Sequence, residues 1–290
     1  MNKFFFFVFK IIAAIVVLAF LLDFIYSKSF CQSKQRDKIG CIYNSKPQEF
    51  DVVILGSSRA NNHFVTEMFT NKGLTAFNFG MQGSKLFESN LVLKLLLEKK
   101  NKIKNVIIDV DLNLRTNKRS DAVTLKFLPY LYGSDVIKNQ LMVLPDYNLL
   151  YYIPFYRYTK FGSKIGFREM FFSSIDKKSK ELDFGGYSAL SNSNNPLHEN
   201  LEVNPIRSKY YEEIKAICKK NNINLIAIMT PVCEDVIGID YFSKVKKLYP
   251  EIHNYENAVV ENKYFFSCGH MNDTGARIFT TKILKDFFNK

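Results

Sequence analysis

The longest apolar run stands near the N-terminus: FFFFVFKIIAAIVVLAFLLDFIY, Phe4 to Tyr26, 23 residues broken only by Lys10 and Asp23. About 20 apolar residues cross a bilayer core as a helix, and a lysine inside such a run can snorkel toward one surface. Residues 1–26 are therefore expected to form a membrane anchor. A cleaved signal peptide calls for a shorter apolar region ending at a small-x-small site, and none is clear after Leu22. Residues 27–50, rich in Lys, Gln, Ser and Asn, read as a polar juxtamembrane linker.

Beyond residue 50 the pattern changes period. DVVIL (Asp51–Leu55) is a short apolar, β-branched run, the mark of a buried strand. A helix is expected from about Asn62 to Asn71, a second strand at TAFNF (Thr75–Phe79) and a second helix over Ser84–Lys100. In that second helix Leu86, Val92, Leu93, Leu96 and Leu97 recur near helical spacing. NVIIDVDLN (Asn105–Asn113) is a third strand. From Arg115 to about Pro205 the alternation stops, giving an aromatic-rich insertion with YNLLYYIPFYRYTKF and the loop-forming GGYSALSNSNNP. It resumes with a helix over Ser208–Asn222, a strand over Ile223–Val232, a short strand KYFF (Lys263–Phe266) and a closing helix Asn272–Phe288. Strand–helix alternation of this kind builds a parallel sheet with helices on both faces. The fold class expected is α/β, a three-layer sandwich over residues 51–290, with the insertion at about 115–205 serving as lid or cap.

Composition narrows the picture. Forty Lys and Arg against 28 Asp and Glu give a formal charge of +12. No basic run interleaves with a recognition motif, so nucleic acid is not the expected partner. Anionic headgroups or anionic polymers suit such a surface better. The basic residues on either side of the apolar run (Lys3 and Lys10; Lys28, Lys34, Arg36 and Lys38) do not fix its orientation by the positive-inside rule. With so few residues ahead of the span, the N-terminus is expected inside and the body outside. Five cysteines show no metal-ligand spacing; Cys31 and Cys41 could close a small juxtamembrane disulfide, and Cys218 reads as a buried thiol.

Ligands of open parallel sheets gather at the carboxyl ends of the strands. The segments predicted there are GSS (Gly56–Ser58), GMQGS (Gly80–Ser84), DLN ending in Asn113, and TPVCED (Thr230–Asp235), joined by SCGHMNDTGA (Ser267–Ala276) before the last helix. A hydroxyl, amide donors and an imidazole would converge on one edge. Arg59 and His63, just past the first turn, read as a solvated helix face or as contacts for an anionic substrate. Tyrosines of the insertion, among them Tyr147, Tyr151, Tyr152, Tyr156 and Tyr158, read as lid packing or as platforms for sugars.

The ordered blocks LGSSRA, NFGMQGS, VIIDVDLN and CGHMNDTGA resemble those of the SGNH (GDSL-like) hydrolase superfamily, over roughly Asp51–Lys290. The resemblance implies a flavodoxin-like sheet, Ser58 as nucleophile, His270 as base, and Gly83 and Asn113 as oxyanion donors beside the N–H of Ser58. It implies no cofactor and no metal. The GSS turn and the N-terminal anchor look most like the membrane-attached, envelope-modifying members. That implies an extracytoplasmic serine esterase or O-acyltransferase acting on an acylated glycan or another envelope polymer, with a membrane-bound acyltransferase as a possible partner. One position departs from the family. Where it usually has Asp three residues before the histidine, this chain has Ser267, and Glu234 and Asp235 are the candidates for a substitute carboxylate. Without a carboxylate the site would work as a slow dyad, or the chain would serve as a binding or scaffold component of envelope polymer assembly.

Overall fold

A computed structural model describes residues 2–110, 112–159, 165–192, 202–238 and 240–289, so Asp111 and the end of the GGYSALSNSNNP segment lie outside the described residues. In chain order the first elements are α1 (Asn2–Gln32), α2 (Lys38–Asn44), β1 (Glu49–Leu55), α3 (Ser58–His63), α4 (Thr66–Thr70), β2 (Ala76–Asn78), α5 (Leu86–Glu98) and β3 (Lys102–Asp109). Short helices follow: α6 (Asp121–Thr124), α7 (Asp135–Leu141), α8 (Tyr147–Tyr152), α9 (Tyr156–Thr159) and α10 (Phe167–Ser174). The chain closes with α11 (Lys209–Lys220), β4 (Asn224–Met229), α12 (Asp240–Leu248), β5 (His253–Asn254), β6 (Phe265–Ser267), β7 (His270–Met271) and α13 (Asp273–Phe288). These elements form two compact units, Met1–Ser45 with Thr124–Ser179, and Lys46–Val123 with Lys180–Lys290.

The second unit is the α/β body. Among the described residues five strands form one parallel sheet in the order β2-β1-β3-β4-β5. The inner strands are built from β-branched residues that are buried on both faces: Val52, Val53 and Ile54 in β1, and Val106, Ile107 and Ile108 in β3. Successive side chains point to opposite faces. Val52, Ile54, Ile107, Ile226 and Ile228 pack with Phe64 and Phe69 and with Phe279 and Ile283 of α13. Toward the other face, α5 packs on β1 and α11, and α11 on β4. The expected three layers are present.

Several boundaries differ from the sequence reading, each for a local reason. The helix expected from Asn62 begins at Ser58 and breaks at Phe64 and Val65, whose backbones are extended. Both side chains enter the core, and the Val65 N–H bonds to Thr280 Oγ1 at 3.0 Å instead of continuing the helix. β3 ends at Asp109 rather than Asn113, and the chain turns into a 3-10 helix over Leu112–Arg115. The strand expected at KYFF does not join the main sheet; β6 pairs antiparallel with β7. The fifth strand of the sheet is β5, two residues without an apolar pattern.

In the first unit α1 is long and apolar enough to cross a membrane, a test that a signal sequence also passes. It continues six residues past the expected anchor, and α2, capped by Asp37 Oδ1 on the Gly40 N–H at 2.7 Å, occupies part of the expected linker. The expected insertion is divided: residues 124–179 fold with α1, whereas residues 115–123 and 180–205 belong to the α/β unit. Cys31 and Cys41 are not joined, and the Cys31 thiol meets Pro129 O.

Gly56 ends β1 with φ +138°, and a Cβ there would lie 2.8 Å from Ala60 Cβ and 3.0 Å from Asp109 Cβ. Only glycine lets α3 start this close to β3. Gly56→Ala is expected to lower stability by about 1–3 kcal/mol through backbone strain and overpacking. A denaturant midpoint measured in detergent checks this, and an unchanged midpoint contradicts it.

Candidate active site

The site starts from the turn after β1. Ser57 is the N-cap of α3: its Oγ accepts from the Arg59 N–H at 3.2 Å and donates to Asp109 Oδ2 at 2.9 Å. This ties the turn to the end of β3 and sets Ser58 as the first helical residue. Ser58 Oγ lies 2.7 Å from His270 Nε2 across 212 positions of sequence.

His270 stands on a tight hairpin. Ser267 and His270 are cross-strand partners of β6 and β7, with Cys268 and Gly269 between them. Cross-strand partners lie side by side, and Ser267 Oγ is 3.1 Å from His270 Nδ1. For Nε2 to accept the Ser58 proton, Nδ1 must carry the ring hydrogen, which Ser267 Oγ then accepts. The hydroxyl therefore holds the useful tautomer. Glu234 and Asp235, the candidate substitute carboxylates, face Asn262 instead: its N–H donates to Glu234 Oε1 at 3.3 Å and its Nδ2 to Asp235 Oδ2 at 2.7 Å.

Two devices hold the hairpin against the segment after β4. Cys268 forms a disulfide with Cys233, and the Cys233 N–H donates to Cys268 O at 3.1 Å. The second device is Arg59, expected on a solvated face and found only 2% exposed. Its Nε donates to Thr230 Oγ1 (2.9 Å), Nη1 to Gly269 O (2.8 Å), and Nη2 to Thr230 O and Pro231 O (both 2.9 Å). A buried guanidinium is costly unless its donors are satisfied, and here three backbone carbonyls and a hydroxyl do so.

His63, also expected in solvent, is fully buried. Its Nε2 accepts from the Met271 N–H at 3.0 Å, so Nδ1 bears the hydrogen and donates to Thr230 Oγ1 at 3.2 Å. Burial first, then the charge of Arg59 and that of His270 when it is protonated, hold its pKa well below the ordinary histidine range. A neutral His63 thus supports the residue after His270 without placing a second positive charge beside it.

Of the two candidate oxyanion residues, Gly83 stands in the loop before α5 and Asn113 in the 3-10 helix after β3. Gly83 is exposed with φ +74°, a conformation glycine adopts without strain. Asn113 is 8% exposed, and its Nδ2 has no hydrogen-bond partner among the described residues. Buried amide donors are rarely left unpaired. The segments that follow them share a buried anchor, Glu88, which accepts from the Lys85 N–H at 2.9 Å and the Ser120 N–H at 2.8 Å. A surface cavity of about 570 Å³ lined by Lys246, His253, Glu256 and Lys282 includes neither Ser58 nor His270. No group of three or more His, Cys, Asp or Glu suited to a metal ion occurs among the described residues.

Sequence reasoning missed Arg59, His63, Thr230, Glu88 and the disulfide. A signal for the disulfide was present: Cys233 and Cys268 stand in TPVC and SCGH, two segments already placed at the same sheet edge. For Arg59 and His63 there was no such signal: SRANNH lacks an apolar stripe and reads as solvated, yet the helix is almost wholly buried.

His63 generates a pH prediction. Its native pKa lies below the unfolded value of about 6.5, so below that pH the unfolded chain gains a proton that the native state refuses. The stability associated with neutral His63 is present above about pH 6.5 and is lost as pH falls toward the native pKa, by at most about 1.4 kcal/mol per pH unit. Denaturation curves between neutral and acid pH are expected to show a shallower loss for His63→Gln; parallel losses contradict this.

No family model matches the chain, and no curated protein is significantly similar to it in sequence. Among solved structures, one from Streptococcus pneumonia, described provisionally as a platelet activating factor, aligns over 98% of this chain and 99% of its own with 10% identity and a TM-score of 0.40. At that distance the likeness decides nothing about chemistry, which must be read from the site itself.

Proposed function

We propose that the chain is a membrane-anchored, SGNH-type serine esterase or O-acyltransferase that works through an acyl-Ser58 intermediate. The observation that carries this reading is the 2.7 Å approach of Ser58 Oγ to His270 Nε2. In the first step Ser58 Oγ bonds to the acyl carbon, its proton passes to Nε2, and the carbonyl electron pair moves onto oxygen. The Nδ2 of Asn113, which has no partner among the described residues, donates to that oxyanion with the N–H groups of Ser58 and Gly83. Collapse breaks the ester bond, and His270 returns the proton to the departing alcohol. Water, or a hydroxyl of an acceptor sugar, then repeats the sequence on acyl-Ser58.

Ser267 sets how well this runs. Removing the triad carboxylate of one serine protease costs roughly 10⁴ in turnover, a loss attributed to the wrong tautomer. Here Ser267 Oγ preserves the tautomer but cannot offset the imidazolium charge, so the loss falls short of that value. Ser267→Asp is expected to raise turnover and to move the acid limb of kcat/KM upward by about 1–3 pH units. An unmoved limb counts against the role of Ser267.

The substrate we infer is an acyl ester on an envelope glycan or a related polymer, met outside the cytoplasm, with a membrane-bound acyltransferase as acyl source if transfer prevails. The Cys233–Cys268 disulfide favours an oxidising compartment, α1 a membrane location, and the +12 charge an anionic surface or polymer. A second reading, a binding component of polymer assembly that keeps the site without turnover, is favoured by Ser267 standing in the family's Asp position.

Hydrolysis of an activated acetyl ester by the full chain in detergent separates the two. Ser58→Ala should abolish it, and Asn113→Ala should lower kcat by about 10²–10³-fold. Turnover retained by Ser58→Ala rules the mechanism out.

A further inference from the structure

The unit formed by α1 and residues 124–179 carries a surface that the proposed chemistry does not use. On α1 the apolar side chains from Phe4 to Phe24 are largely exposed, whereas Asp23, Tyr26, Ser29 and Phe30 are buried. Asp23 pairs with buried Arg157 and accepts the Phe155 N–H at 3.0 Å. One step farther along the helix, the Tyr26 ring meets Phe155 and Tyr158 at 5.0 and 5.1 Å, and the Phe30 ring stacks on Tyr158 at 6.2 Å. The chain from Phe155 to Tyr158 therefore climbs α1 in the sense from Asp23 to Phe30, away from the apolar segment.

Ile153 is two positions back, within about 7 Å of chain from Phe155. Phe155 is held at Asp23, where the long apolar run is interrupted. The headgroup layer of a bilayer is about 5–8 Å deep on each side of the hydrocarbon core. Near this level the unit exposes Tyr152 (72%) and Ile153 (47%), with Leu149 (45%) one helical turn back from Ile153 in α8. Tyr132, 51% exposed, lies there too, its ring 4.0 Å from the Arg157 guanidinium. Lys28 lies over Phe24, one turn up α1, and Lys138 over the ring of Tyr151. Exposed aromatic and apolar side chains flanked by cations at the end of a spanning segment have the composition of an interfacial belt.

We propose that Tyr132, Leu149, Tyr152 and Ile153 form a collar seated in the headgroup–acyl boundary of the bilayer that α1 enters, with Lys28 and Lys138 reaching its anionic headgroups. The inference rests on α1 crossing that bilayer. It gives residues 124–179 a task other than covering a substrate: they fix how α1 emerges from the membrane, through the buried Asp23–Arg157 pair.

The chain contains no Trp, so single-Trp variants of the full chain in phosphatidylcholine–phosphatidylglycerol vesicles report one position each. Leu18→Trp reads the span and Lys34→Trp the aqueous side, since position 34 follows the end of α1 at Gln32, which lies about 14 Å beyond Asp23 at helical rise. Tyr152→Trp and Ile153→Trp are expected to show blue-shifted emission, quenching by shallow brominated lipid, and several-fold less iodide quenching than Lys34→Trp. Iodide quenching equal to that of Lys34→Trp, with Leu18→Trp still lipid-buried, overturns the collar and leaves the anchor standing. Aqueous behaviour of Leu18→Trp overturns both. Protection that appears in lipid-free detergent and rises with protein concentration assigns the surface to a second copy of the chain and equally overturns the proposal.

Discussion

The guanidinium of Arg59 is the constraint on which the rest of the site depends. Ser58 and His270 come from opposite ends of the α/β unit, and no local rule of helix or strand brings them together. Arg59, one residue past Ser58, gathers carbonyls from both sides of the gap: Thr230 and Pro231 after β4, and Gly269 in the hairpin that carries His270. Each charge-assisted hydrogen bond of this kind is worth about 1.5–3 kcal/mol. The larger energy is the penalty for leaving a buried guanidinium or its carbonyls unpaired. The network satisfies these groups together, and in that arrangement the hydroxyl and imidazole are 2.7 Å apart.

Around that rivet the other groups divide the work. The Cys233–Cys268 disulfide fixes the turn covalently. His63 braces the main chain at Met271 and is kept neutral by its burial and by the charges beside it. Ser57 secures the turn before Ser58 to Asp109. Ser267 then suffices to orient the imidazole, because little orientation is left to supply. What a hydroxyl cannot provide is charge, and this is where the site differs from one with a carboxylate at that position.

Much of the fold was legible because the inner strands must be apolar on both faces. Val52–Leu55, Val106–Ile108 and the core of β4 declare themselves as uninterrupted apolar runs containing β-branched residues. α13 was legible from its Asn272 cap and apolar period. What escaped had no such signature. β5 is two exposed residues recruited by pairing with β4. The break between α3 and α4 is a tertiary decision, taken because Phe64 and Val65 are worth more in the core than in a helix. Ser58, His270 and Asn113 could be nominated from their places near predicted strand ends. Arg59 and His63 could not, because a polar helix reads as solvated until its partners, more than 160 positions away, are in view. The possible Cys31–Cys41 bridge does not form, and the Cys31 thiol meets Pro129 O instead.

The central claim is that Ser58 is a nucleophile driven by His270. Its most direct test is the rate at which a fluorophosphonate modifies the full chain as a function of pH, with the modified residue identified by peptide mass spectrometry. Modification at Ser58, slowing as the imidazole takes up a proton at acid pH, is the predicted result. Absence of modification, modification elsewhere, or a rate at Ser58 indifferent to pH would contradict it.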